Sequence, residues 1–234
     1  AVRDALEPLA PLRLAGSWDN VGLLIRGIRP VARVALCIDL TEEVLDEIEE
    51  VEADFVVAYH PTVFGGLKRL ADRTPTERVV ARLLRGGRSV YSPHTALDAV
   101  TGGVADWLIQ GLGPVREVRP ITPDPATPDQ GAGRLGSLAE PVPLAVLVSR
   151  IKAHLGLDAV RVAAPRAVRE GASLRHVAVC PGAGGSLFEQ VGPVDLLLTG
   201  EMRHHDVLAR VGQRSAVVLT DHSHSERGYL RPLA

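Results

Sequence analysis

Aromatic side chains are scarce in this chain: two Trp, three Tyr and three Phe among 234 residues. So few rings leave little material for the stacked platforms on which single-stranded nucleic acids are held. Charge of one sign is equally lacking. The formal net charge is -2, and no Lys/Arg cluster approaches the basic stripe of a nucleic-acid binder. Cysteine is nearly absent. Cys37 and Cys180 each end an apolar run and read as small buried residues. Two cysteines in so long a chain make no disulfide framework, which points to a reducing compartment. No run approaches the ~20 apolar residues of a membrane span. The first residues, AVRDALEPLAPLRLAG, show neither the basic nor the apolar region of a secretory signal. Also missing are a GxSxG elbow, a CxxC pair and an HExxH helix. Cys180 has no evident activating base, so thiol chemistry is excluded as well.

What is present is the balance of an ordinary globular protein, 46% apolar and 23% charged. Its length suits one large domain or two packed halves. A faint internal repeat gives two such units, which could be two domains or two interleaved sheets. Residues 34–60, VALCIDLTEEVLDEIEEVEADFVVAYH, read as a buried strand, a Thr-capped acidic helix and a second strand. Thr41 followed by Val44, Leu45 and Ile48 has helical spacing, and the acidic first turn suits the helix dipole. Residues 177–201, VAVCPGAGGSLFEQVGPVDLLLTGE, repeat the plan. Each unit continues into a helical stretch and another strand, SVYSPHT (89–95) and SAVVLTDH (215–222). The fold class predicted is therefore α/β, two similar β-α-β-α-β units with largely parallel or mixed sheets, packed together around a shared site.

Residues 114–143 hold seven prolines and predict a linker. Within it GAGRLGSL (131–138) reads as a glycine turn leading into a strand, and a helix follows over roughly 144–155. The expected organisation is a first α/β unit at 1–113, a proline-rich linker at 114–143 and a second α/β unit at 144–234, intertwined as a pair.

In parallel α/β sheets ligands gather at the carboxyl ends of the strands. The first repeat supplies Asp39, Tyr59-His60 and His94 with Asp98 there; the second supplies Glu201, Asp221-His222, His224 and Glu226. Imidazoles and carboxylates are the donors that hold Zn, Mn, Fe or Co ions. The spacings His94/Asp98 and His222/Glu226 place both groups on one face of a helical turn. Other histidines read differently. His154 and His176 are structural by position, and His224 is solvated. One of His204-His205 could orient a ligand from outside it, a helix cap or a solvent-facing role being the alternative. The turn GAGGS (182–186) reads first as tight-turn chemistry, with an anion site on its amides as the alternative.

At these residues the chain resembles the Nif-three-like (NGG-interacting-factor-three-like) proteins, often named GTP cyclohydrolase type-two homologues. The resemblance is carried by SWDNVGLL (17–24), AYHPTVF (58–64), YSPHTALDA (91–99), GGVADWL (102–108), GAGRLGSL, CPGAGGS (180–186), TGEMRHHD (199–206) and HSHSERG (222–228). The wording is closest to the eukaryotic branch, and the short linker leaves no room for the domain inserted in some members. The resemblance implies a toroidal homo-oligomer and a dinuclear metal centre. By motif matching, His60 and Asp98 hold one ion, His222 holds the other, Glu226 is shared, and His94 lies at the edge. Where the bacterial motif has two adjacent histidines, this chain has Tyr59-His60, so the second ion loses a ligand. A phenol with a pKa near 10 ligates less readily. The family pattern also implies a helix beyond Ala234.

Two functions follow as expectations. One is metal-dependent hydrolysis of a small phosphorylated or heterocyclic substrate, with Glu201 or His205 as proton carrier. The other is a regulatory or interaction protein of the transcriptional co-regulator kind, with a structural or vestigial metal site. The expected location is cytoplasmic, with the nucleus as a second compartment. The chain carries no nucleotide-binding fingerprint and no Cys/His zinc set of true GTP cyclohydrolases. Neither direct nucleic-acid binding nor membrane association is expected.

Overall fold

The computed structural model describes residues 2–234, which divide into two compact units, residues 2–97 with 230–234 and residues 98–229. Among the described residues no helix is long and apolar enough to cross a membrane.

The first unit opens with α1 (Val2–Leu6) and builds one four-stranded sheet from β1 (Gly22–Ile25), β2 (Val34–Cys37), β3 (Phe55–Ala58) and β4 (Ser89–Ser92), in the order β1-β4-β3-β2. β2, β3 and β4 run parallel, and β1 is antiparallel to β4. Two crossover helices join the parallel strands, α2 (Glu42–Glu50) and α3 (Pro75–Arg85). The Thr41 hydroxyl accepts from Val44 N at 3.3 Å and caps α2, whose first turn carries Glu42 and Glu43 as the helix dipole favours. Thr74 caps α3 ahead of a proline at its start. Leu45, Ile48, Val79, Val80 and Leu83 bury the inner faces of the two helices against Val56, Ala58 and Val90. Burying such side chains contributes roughly 1.5–3 kcal/mol each. α4 (His94–Ala99) follows β4, and the division between the units falls inside it; α10 (Leu230–Leu233) belongs to the first unit.

The second unit repeats the parallel core on a larger sheet. α5 (Val104–Gln110) leads into β5 (Val115–Arg119), β6 (Thr122–Pro123), β7 (Gly131–Ala132) and β8 (Arg134–Pro143). Then come α6 (Leu144–Leu155), β9 (Arg161–Ala163), α7 (Arg166–Arg169), β10 (Ser173–Ala183), α8 (Gly185–Phe188), β11 (Leu196–Glu201), α9 (His204–Gly212) and β12 (Ala216–Leu219). The sheet order is β5-β8-β10-β11-β12-β9, with β10, β11 and β12 parallel and the flanking strands antiparallel. Both repeats therefore form as β-α-β-α-β, in mixed sheets with a parallel centre.

The segment 114–143 is where sequence and structure differ. Expected as a linker, it carries β5 to β8, and β5 and β8 extend the main sheet while β6 and β7 pair separately. Five of its seven prolines fall outside the paired ladder positions. Pro114 and Pro120 flank β5, Pro125 and Pro128 lie between β6 and β7, and Pro141 lies in the stretch of β8 where the register against β10 shifts. The glycine turn and the helix from Leu144 lie where the sequence places them.

Candidate metal centre

The chemistry-bearing side chains sit just past the carboxyl ends of the parallel strands, because a strand that is buried on both faces can release polar groups only at its ends. In the first unit β3 runs directly into Tyr59 and His60. Backbone bonds Tyr59 N to Cys37 O (2.9 Å) and His60 N to Ile38 O (3.0 Å) extend its pairing with β2. Continuing that register sets Asp39 opposite His60, and the Asp39 carboxylate meets His60 Nδ1 at 2.8 Å. β4 ends in Pro93-His94. His94 holds a left-handed φ of 33°, uncommon for a residue with a side chain, and its Nδ1 meets the Asp19 carboxylate at 2.8 Å. The Asp19 side chain is fully buried, and its second oxygen accepts from the Thr95 amide and hydroxyl. Burial raises the Asp19 pKa, but the bonds from His94 and Thr95 outweigh it and leave the carboxyl below its usual range. The His60 and His94 rings stand 5.4 Å apart, with Tyr59 5.1 Å from His60 and 5.7 Å from His94.

The second unit makes a third pair of the same kind. β11 ends in Glu201, and the β11/β12 register would set Asp221 opposite it. Asp221 instead adopts a left-handed φ of 68°, which swings the following residue back, so that His222 Nδ1 meets the Glu201 carboxylate at 2.9 Å. A 3-10 turn over Ser223–Ser225 then brings Glu226 round, and its Oε1 lies 3.3 Å from His222 Nε2. Two donors each ~2.1 Å from one tetrahedral ion would stand about 3.4 Å apart, so this pair has the bite of a chelate. Glu226 is buried, 3% exposed, where a carboxylate is stable only beside cations or donors.

The backbone makes room for the pair. Gly182 has φ 60°, and a Cβ there would stand 2.6 Å from Glu226 Oε1 and 2.8 Å from His222 Nε2. A Cβ on Gly200 would meet Gly182 O at 2.6 Å and His222 Cα at 2.7 Å. Ser225 Oγ accepts from Gly182 N at 2.8 Å and donates to His222 O at 2.6 Å, tying the glycine turn to the His222 turn. Half-buried Cys180 precedes the turn. Burial pushes its thiol well up, and the charges of Asp98 and then Glu226 add to the rise.

Three imidazoles thus have Nδ1 anchored on a carboxylate: His60 on Asp39, His94 on Asp19 and His222 on Glu201. Such an anchor fixes the tautomer and leaves Nε2 as the donor atom, as second partners of metal-bound histidines do.

A family model, Duf34/NIF3 (NGG1p interacting factor 3), matches residues 1–234. The chain belongs to the Duf34/NIF3 family. It is 39% identical over 239 residues to the protein NIF3 homolog of Schizosaccharomyces pombe, an alignment covering 98% of this chain and 85% of that protein. To the NGG1-interacting factor 3 of Saccharomyces cerevisiae it is 37% identical, over 92% of this chain and 81% of that one. Among solved structures, a Bacillus cereus protein related to NIF3 superposes with a TM-score of 0.86 at 20% identity, over 98% of this chain and 90% of that one. Reduced HcgD from Methanocaldococcus jannaschii superposes at 0.84 and 22% identity, over 99% and 90%. The fold of this chain is therefore shared with both of these solved proteins.

Of the four ligands expected from the sequence, His222 and Glu226 meet in the second unit, Asp98 lies in the second unit on the last turn of α4, and His60 belongs to the first unit beside His94. His224 proves to be bonded to Thr220 O at 2.9 Å, which closes the turn, and His176 meets Ser137 Oγ at 3.2 Å. His204 and His205 open α9 on the surface. Sequence reasoning assigned no role to Asp19 or Asp39 and read Gly182 first as plain turn chemistry. Asp39 carried a signal, its place past a strand end. Asp19 carried none beyond its motif, because its histidine lies 75 residues away.

Proposed function

We propose that this chain is a divalent-metal protein in which His60, Asp98, His222 and Glu226 hold one or two Zn, Mn, Fe or Co ions and support hydrolysis of a small phosphorylated or heterocyclic substrate. The observation that carries this reading is the pairing of anchored imidazoles with a buried carboxylate, above all His222 and Glu226 at chelating distance. The donor set of imidazole nitrogen and carboxylate oxygen suits these metals. When bound, such ions polarise a scissile group and lower the pKa of a bound water. The protein's own part is to hold Nε2 outward through Asp39 and Glu201, to keep Glu226 out of bulk water, and to leave the space at Gly182 open. A closed homo-oligomer accompanies this reading.

Elemental analysis of purified protein tests the metal. Clear occupancy is expected, reduced in His60→Ala and Asp98→Ala; protein that stays metal-free after reconstitution with Zn, Mn, Fe and Co sinks the reading. Turnover of a metabolite panel that disappears in the same variants tests the hydrolase.

A second reading is regulation through protein contacts, in the cytoplasm or nucleus, with the metal structural. The budding-yeast relative is named for interacting with NGG1. In this chain Trp18 and Phe64 lie exposed as an edge-to-face pair 6.1 Å apart, a surface feature of the kind that partners cover. Metal-loaded protein that turns nothing over yet captures a partner lost in Trp18→Ala favours this reading.

A further inference from the structure

We propose that Arg134 and Tyr229 are positioning residues that together set the placement of the two carboxylates of the second unit, Asp98 and Glu226. The inference rests on the reading of those carboxylates as metal ligands, and concerns what holds them there.

Arg134 opens β8 and is almost fully buried, 1% exposed. A buried guanidinium is tolerated only when its planar fork of donors is met. Nε and Nη2 reach both oxygens of Asp106, at 2.6 and 3.0 Å. Nη1 reaches Gly131 O at 2.7 Å and Gly133 O at 2.8 Å. Nη2 also reaches Ala99 O at 3.2 Å and Val100 O at 3.1 Å. These last two carbonyls immediately follow Asp98, so the fork grips the end of the helix that carries that carboxylate. The turn that feeds the fork needs its glycines. Gly131 and Gly133 have φ of 141° and 60°, and a Cβ on Gly131 would stand 2.1 Å from Thr122 O.

The same network reaches Glu226. Asp106 Oδ2 accepts from Gly102 N at 2.7 Å, and Gly102 O accepts from the Tyr229 hydroxyl at 2.8 Å. Tyr229 N in turn donates to the main-chain carbonyl of Glu226 at 2.9 Å, closing the turn that carries that residue. The Tyr229 ring packs edge-on against Trp107 at 6.3 Å, and Gly228 lies so close to Trp107 that a Cβ would meet the indole at 2.5 Å. Burial raises the Tyr229 phenol above its usual pKa and the Asp106 charge adds to this, so the hydroxyl stays a donor. A continuous path therefore joins the backbone just after Asp98 to the backbone of Glu226: the Ala99 and Val100 carbonyls, Arg134, Asp106, Gly102, Tyr229 and the Glu226 carbonyl. It accounts for two segments that hold none of the proposed ligands, GGVADWL and GAGRLGSL.

The test is Co(II) titration of the whole chain, reading both affinity and the visible absorption of the bound ion, whose intensity reports coordination geometry. Tyr229→Phe removes one surface-reachable hydrogen bond and should weaken Co(II) binding about fivefold, with the apo melting temperature little changed. Arg134→Lys cannot reproduce the fork and should weaken binding at least tenfold and alter the spectrum. Leu147→Ala, a buried substitution in the core of the same unit, serves as the control: it should lower the melting temperature and leave Co(II) binding as in the wild type. Wild-type affinity and spectrum in both Tyr229→Phe and Arg134→Lys overturn the proposal. So does a Leu147→Ala loss of affinity matching that of Arg134→Lys, since stability alone would then explain it. Asp98→Asn and Glu226→Gln separate the two levels: if these bind Co(II) normally, the ligand reading itself has failed.

Discussion

Replacing Gly182 by alanine adds a single methyl group and should disable the centre. Two effects act at once. An L-residue in the left-handed region costs about 1–2 kcal/mol, and Gly182 sits at φ 60°. For a protein of this size each kcal/mol lowers the melting temperature by roughly 2–4 °C, so a fall of about 2–8 °C is expected. The second effect is local. The new Cβ would stand 2.6 Å from Glu226 Oε1 and 2.8 Å from His222 Nε2, whereas ordinary contact begins at 3.4 Å. Both donors must retreat by more than half an ångström, beyond the ~0.5 Å within which a functional constellation has to be held. Disturbing what orients metal ligands typically costs 10–100-fold in affinity, and that is the loss expected. Competition titration with a chromophoric chelator measures it, with Gly192→Ala as the comparison, since a Cβ there meets nothing within 4 Å. Wild-type affinity in Gly182→Ala would show that the donors near this glycine are not the ligands.

Tyr59→His should restore a neutral imidazole where the chain carries a phenol that must shed a proton several pH units above neutrality to ligate. Calorimetric titration should show a second, tighter step; equal binding in both proteins removes the phenol from the argument. Light scattering should give a mass well above 24.9 kDa, because the proposed assembly is a closed homo-oligomer, and a monomer at micromolar concentration contradicts it. His154 is half-buried on Trp107 at 4.5 Å, and burial lowers its pKa, an effect the backbone bond at Trp107 only partly offsets. The unfolded chain then takes up this proton more readily than the folded one. Its contribution is complete above the ordinary histidine value of about 6.5 and is lost as the pH falls below that toward the folded value. Chemical denaturation of wild type and His154→Gln at pH 7.5 and 5.5 checks this, and an equal loss of stability in both refutes it.

The parallel cores were legible because their signals are local. Thr41 before an acidic turn, and apolar runs ending in Cys37 and Ala58, are readable within a dozen residues. Residues 114–143 were misread because proline content argues against a central strand, but says little about edges, bulges and the short pairings that these residues form. The candidate ligands were visible as polar groups past apolar strands. Their supports were not. Asp19 reaches His94 across 75 residues, and Arg134 reaches the Ala99 carbonyl across 35; no spacing rule connects such partners. Gly182 carried the opposite difficulty, since a glycine turn reads the same whether it merely turns or yields space to a neighbour.

Both anchor pairs on parallel strands, Asp39 with His60 and Glu201 with His222, bridge neighbours in a ladder. Ladders can slip. A one-residue displacement of β12 against β11 would turn every side chain of the strand to the opposite face, and carboxylate and imidazole would part. On the proposed metal reading, a misaligned chain has nothing with which to grip an ion, while a correctly aligned one does. Metal present during refolding would draw the population toward the aligned state by mass action alone. The proposed centre would in this sense proofread the sheet that builds it.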